Sequence, residues 1–180
     1  MGYDMYAVED NAYFRYNIGG MRGARDLMDR FGMLDHRDHA AWPQPEDFGF
    51  DPKDPQAFDA VLRAFLSGDY EADDELELPE GMSEESYDGA RGFVDVQEAI
   101  VEGELEPVQG IPAYKLGSND GWLVTPSEIA ASLACFEAAR TVDPTSALVP
   151  AGESPDDELG YFLTFIDFLR HSQAEGFRVH

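Results

Sequence analysis

The sequence predicts an α+β fold: one domain over residues 1–180, with several amphipathic helices on a small, mainly antiparallel sheet and an acidic loop or insertion at 69–106. Three observations predict it. Short runs rich in Tyr, Phe, Val and Ile stand near both ends of the chain. Apolar residues recur at helical spacing behind recognisable caps in several places. Apolar residues make up 43 % of the chain and aromatics 12 %, enough for a core at this length.

"YDMYAV" (3–8) and "AYFRYNI" (12–18) read as two strands, and the "EDN" between them is turn chemistry, so a hairpin is expected. Gly19-Gly20 then breaks the pattern. Met21, Ala24, Met28 and Phe31 form one helical stripe, and Gly32 is the expected glycine beyond the helix end. Residues 35–54, with Pro43, Pro45, Pro52 and Trp42, read as an ordered irregular loop. Asp54-Pro55 opens the clearest amphipathic helix, with Asp as N-cap, Pro in the first turn, and Phe58, Val61, Leu62, Phe65 and Leu66 on one face.

Residues 68–92 lack a sustained apolar stripe and read as a solvated loop. The following stretch, 93–108, reads as a strand and then a helix. Thr125-Pro126-Ser127-Glu128 has capping-box spacing before Ile129, Leu133 and Phe136. Ser154-Pro155 starts the last helix by the same device. There, apolar residues from Leu159 to Leu169 cover roughly 200° of the circumference at 100° per residue. An arc that wide is buried in a core or covered by a second chain, and the core is the expected answer. "GFRVH" (176–180) is the expected closing strand, beside the N-terminal hairpin.

Charge bounds the function. There are 37 Asp and Glu against 12 Lys and Arg, a formal net charge of −25. Neutralising nucleic-acid phosphates needs a basic face, so direct nucleic-acid binding is not expected, and anionic membrane surfaces are unfavourable for the same reason. No apolar run approaches the roughly 20 residues of a membrane span. No leader pattern opens the chain. The single Cys135 forms no internal disulfide, and a reducing cytoplasm is the expected compartment. Residues 69–106 carry fifteen acids against one base, Arg91. The partner-binding candidates are Asp69, Glu71, Asp73, Asp74, Glu75, Glu77, Glu84 and Glu85.

Other constellations are weaker. Gly117-Ser118-Asn119-Asp120-Gly121 is turn chemistry throughout, anchored by Trp122, and lacks the Gly-x-Ser-x-Gly of a nucleophile elbow. Ser118, Asn119, Asp120 and Trp122 are therefore a candidate ligand-contacting turn, with a structural corner as the simpler reading. "DHRDH" (35–39) offers His36 and His39 with Asp35 and Asp38, but no helix supports that spacing, and a polar loop is preferred to a metal site. Arg22, Arg25 and Arg30 have Asp26 and Asp29 at pairing distance along the helix, which would cancel their charge locally. Thr164, Asp167 and His171 share one face of the last helix and read as a solvated strip. No Walker loop, dinucleotide fingerprint, CxxC or HExxH occurs, so no cofactor and no catalytic residue is assigned.

"YFRYNIGGM" (13–21), "IPAYKLGSNDGWLVTPSEI" (111–129) and "FLRHSQAEGFRVH" (168–180) together resemble a group of uncharacterised small acidic proteins of actinobacteria and their phages. The resemblance covers about a quarter of the chain. It implies a bacterial or phage cytoplasmic protein and agrees with the preference for Arg over Lys. It implies no activity and no site residue. The expected function is a non-enzymatic acidic binding protein that engages a basic protein partner. A DNA mimic that occupies a DNA-binding protein is one alternative. An enzyme whose site gathers His36, His39, Asp120 or Ser118 is another.

Overall fold

A computed structural model describes residues 2–67, 82–142 and 155–180. In chain order its elements are β1 (Gly2–Ala7), β2 (Tyr13–Asn17), α1 (Ile18–Arg30), β3 (Leu34–Asp35), α2 (Pro55–Ser67), α3 (Glu84–Glu102), β4 (Ile111–Pro112), β5 (Trp122–Val124), α4 (Pro126–Val142), α5 (Pro155–His171) and β6 (Phe177–Val179). Short 3-10 turns at Pro45–Phe48 and Ala113–Leu116 complete them. The class is α+β, with a mainly antiparallel four-stranded sheet. The chain divides into two compact units, Met1–His39 with Val101–His180, and Ala40–Ile100.

In the first unit the strand order is β2-β1-β6-β5, antiparallel throughout. The hairpin is the expected one, with Met5 opposite Phe14 and Tyr6 opposite Tyr13. The closing strand lies beside it, with Met5 opposite Val179. Alternation puts Met5, Ala7, Phe14, Tyr16, Phe177 and Val179 on the buried face. The second sheet is a short parallel pair of β3 and β4, Leu34 opposite Ile111.

Helix α1 begins earlier than the glycine pair suggests. Asn17 is its N-cap, accepting the Gly20 amide on its side chain at 2.7 Å, and Gly19 and Gly20 lie within the first turn. A strong cap outweighs the low helix propensity of two glycines. At the other end Gly32 takes a φ of +64°, the left-handed conformation expected just past a helix end.

Met21, Ala24, Leu27 and Met28 of α1 and Phe31 just beyond it meet Phe136 of α4 and Phe162, Phe165 and Leu169 of α5 in one core. Phe31 packs on Phe136 at 4.9 Å and stacks on Phe162 at 5.9 Å between ring centres. Phe165 sits 5.5 Å from both Phe14 and Tyr16 of the sheet. The broad apolar arc of α5 is thus largely core, and Ser154, its expected cap, lies outside the described residues. At its margin Tyr161 donates to the Arg15 carbonyl at 2.5 Å, on the edge strand β2.

In the second unit α2 starts as expected, with Asp54 accepting from the Ala57 amide at 3.1 Å. The reading of 82–108 needs correction. Residues 84–92 form no loop and 93–108 holds no strand: α3 runs unbroken from Glu84 to Glu102, and 103–108 is irregular. Ser83 opens it, accepting from the Ser86 amide at 3.2 Å. Its buried stripe is Tyr87, Ala90 and Phe93. Gly92 interrupts that stripe in the sequence, just before Phe93. Phe93 meets Phe58 at 5.0 Å and Phe48 at 5.8 Å, and Tyr87 meets Phe65 at 5.3 Å. Burying each such ring contributes about 1.5–3 kcal/mol, which holds a glycine-bearing helix in place.

Candidate functional site

Three places in the chain gather polar or charged groups. The first is the helix start that the capping box predicts. Thr125 and Glu128 form the box reciprocally: the Thr125 amide donates to Glu128 Oε2 at 2.9 Å, and the Glu128 amide to Thr125 Oγ1 at 3.3 Å. Glu128 has a second task that no sequence signal assigned. Its carboxylate receives the ammonium of Lys115, with Nζ 2.8 Å from Oε1 and 3.0 Å from Oε2. Nζ also donates to the carbonyls of Gly103 and Leu123, both at 2.7 Å. Lys115 is fully buried.

Burial pushes Lys115 down and Glu128 up, and each partner's opposite charge works against that shift. Two carbonyls and a carboxylate face one nitrogen and require three N–H hydrogens, so the ammonium is the form that fits. Glu104 joins at the rim, accepting hydrogen bonds from the hydroxyls of Ser127 and Thr125, which lower its carboxyl below the ordinary 4.5. Tyr114, next to the lysine, is pushed up to about 12, mainly by burial and then by the charge of Glu128. This is a sealed polar anchor with no space for a substrate around Nζ. The sequence signal was slight: Lys115 is one of only two lysines and stands between apolar neighbours in "IPAYKL".

The turn 117–121 packs beside it. Trp122 donates its indole N–H to Ser118 Oγ at 2.9 Å, and Asn119 donates to the Gly2 carbonyl at 2.7 Å. Asp120 is exposed. His39 and Tyr114 pack against Trp122, tilted and edge-on, at 5.3 and 4.9 Å between ring centres. His39 and Ser118 therefore meet the same indole, whereas His36 lies elsewhere, its Nε2 2.5 Å from Asp29 Oδ1. Ser118, Asn119 and Trp122 each have a structural task, which is what a corner requires.

The "DHRDH" residues diverge. Asp35 is 4 % exposed and accepts from Arg37 Nη2 at 2.5 Å, which holds its carboxyl below the ordinary 3.8. Arg37 also donates to the carbonyls of Glu106 and Pro107, at 3.1 and 2.6 Å. No group of three His, Cys, Asp or Glu side chains is placed to hold a metal among the described residues.

The depressed carboxyls make a prediction. The native state binds fewer protons than the unfolded chain between the folded and unfolded pKa values of Asp35 and Glu104. Their stabilisation is thus present above about pH 5 and lost as pH falls through their folded values. Urea midpoints of the wild type and Arg37→Gln, taken from pH 7 to 3, test this for Asp35. The difference between the two proteins cancels the whole-molecule charge effect. It is expected to shrink below about pH 4; a constant difference would show that Arg37 acts only through its bonds to the carbonyls.

The second place is a cleft of about 230 Å3 in the first unit, lined by Arg22, Arg25, Asp26, Asp29, Leu34 and His36. The expected cancellation of charge along α1 does not occur at Arg22 and Arg25. Asp29 turns to His36, and among the described residues neither arginine meets a carboxylate. The polar face of α5 is the expected solvated strip: Thr164, Asp167 and His171 are all exposed, with Asp167 2.9 Å from Arg170 and His171 3.1 Å from Asp10.

The third place is the exposed side of α3. Glu84, Asp88, Asp95 and Glu98 follow at spacings of four, seven and three residues, which puts them on one face of the helix. Glu85 is exposed one position away. Arg91 is the sole base among them, 3.9 Å from Asp95. The candidates Asp69, Glu71, Asp73, Asp74, Glu75 and Glu77 lie outside the described residues.

No family model, curated protein or solved structure matches this chain. The described residues hold no helix long and apolar enough to cross a membrane.

Proposed function

We propose that this chain is a non-enzymatic acidic binding protein, of bacterial or phage origin, that engages a basic protein partner. The observation that carries the reading is the lopsided charge: −25 overall, with fifteen acids and one base in 69–106. The row Glu84, Asp88, Asp95 and Glu98 on α3 supports it, because a helix anchored by its aromatic face holds those carboxylates in fixed order. Such a surface speeds encounter and selects partners more than it adds affinity.

The test compares two charge-matched variants. One replaces Glu84, Asp88, Asp95 and Glu98 with the amides; the other does the same at Glu9, Asp38, Asp120 and Glu175, which are equally exposed. Binding to a small basic protein is measured by calorimetry across a salt series. The wild type is expected to bind at low salt and weaken steeply as the Debye length falls from about 10 Å at 0.1 M to about 3 Å at 1 M. The α3 variant is expected to bind more weakly than the control variant. Equal affinities would reduce the effect to net charge, and no binding at low salt would end the proposal. Displacement of bound duplex DNA from a DNA-binding protein would instead favour the mimic reading.

A further inference from the structure

We infer that the cleft beside α1 is a binding site for a small singly charged oxyanion, the chemistry shared by a carboxylate and a monobasic phosphate. In a chain with three acids for each base, most of the described cations stand against a carboxylate. Arg15, Arg37, Arg91, Arg140, Arg170 and Arg178 each have an acidic partner within 4.0 Å. Arg22 and Arg25, like Lys53 and Arg63 of the second unit, have none among the described residues, and of these four it is they that line the cleft, although Asp26 and Asp29 stand on the same helix.

The geometry explains why. His36 Nε2 holds Asp29 Oδ1 at 2.5 Å and so removes the carboxylate that Arg25 would take four residues on. The Arg25 guanidinium lies beside the Gly117 backbone, where a side-chain carbon would stand in ordinary contact 3.5 Å from its Nη1. Its Nε is buried and has no partner. Leu34 closes one side of the cleft with apolar surface.

Two guanidinium groups thus line a recess of about 230 Å3, room for a few heavy atoms. The planar fork of Arg matches the paired oxygens of a carboxylate or phosphate. Asp26 in the same lining, and the negative field of the whole chain, work against a polyanion. One negative charge on a small head is what the lining accommodates.

The test uses the full chain, labelled with 15N, titrated with sodium acetate and separately with monobasic sodium phosphate at ionic strength matched by sodium chloride. The amides of 22–29, Leu34 and His36 are expected to shift and saturate. Arg22 is exposed, so Arg22→Gln leaves the fold intact and is expected to weaken binding about tenfold or more, the effect of losing one charged hydrogen bond. Arg25→Lys, which keeps charge but removes the fork, is expected to weaken it as well. Arg140→Gln, whose arginine pairs with Glu137 on α4, is expected to change nothing. Saturation by acetate alone or phosphate alone upholds the site and identifies the head group. Shifts that never saturate, that spread equally over the other arginines, or that survive Arg22→Gln overturn it.

Discussion

Replacing Lys115 with methionine is expected to destabilise the protein by about 3–5 kcal/mol, the usual cost of removing one partner from a buried ion pair. Glu128 is 1 % exposed and would either stay charged with no cation to answer it or take up a proton, and both cost stability. The carbonyls of Gly103 and Leu123 would lose their donor in the same step. The methionine chain is close in volume to the lysine stem, so little of the loss comes from packing. The double variant Lys115→Met, Glu128→Leu is expected to recover much of it. What it does not recover is the capping box, about 1 kcal/mol, because Glu128 Oε2 also holds the Thr125 amide. Urea unfolding of the four proteins of this cycle measures the coupling directly. A loss below about 1 kcal/mol for the single variant, the range of an exposed pair, would mean that water reaches the site.

Phe165→Ala is expected to cost about 3–5 kcal/mol as well, by a different route. The ring is fully buried and touches Phe14, Tyr16, Phe162 and Phe168, which belong to β2 and α5. Those neighbours are held by the sheet and by their own helix, so the space left behind does not collapse readily. Leu163→Ala, two residues earlier, is the control. Leu163 is 38 % exposed, and its replacement is expected to change stability by less than about 1 kcal/mol. Thermal or urea midpoints of the two variants decide between a buried arc and one covered by a second copy. If Leu163→Ala instead lowered stability in a concentration-dependent way, the outer face of α5 would belong to an interface.

Both effects are local to one unit, and both show how a residue's weight comes from its partners. Lys115 looks like an ordinary lysine in "IPAYKL"; four acceptor atoms around Nζ make it a keystone of the α4 start. His36 looks like half of a metal pair; one carboxylate of α1 makes it the group that takes Asp29 from Arg25.

What the sequence by itself determined was local. Strand and helix periodicity, the Asp54 and Thr125 caps, the left-handed Gly32 and the turn at 117–121 follow from interactions within a few residues, and those energies are written in neighbouring letters. The closing strand at 177–179 was legible too, because a short apolar run at the chain end has few partners except the hairpin. Tertiary structure decided the rest. The aromatic side chains of α2 and the 45–50 segment made one helix of 84–102, although its own letters suggested a loop and a strand. His36 took Asp29 from the arginine that spacing proposed, and Lys115 joined Glu128 beside the cap that spacing did predict. A burial energy or an ion pair between remote residues depends on which surfaces meet, and only the folded chain fixes that.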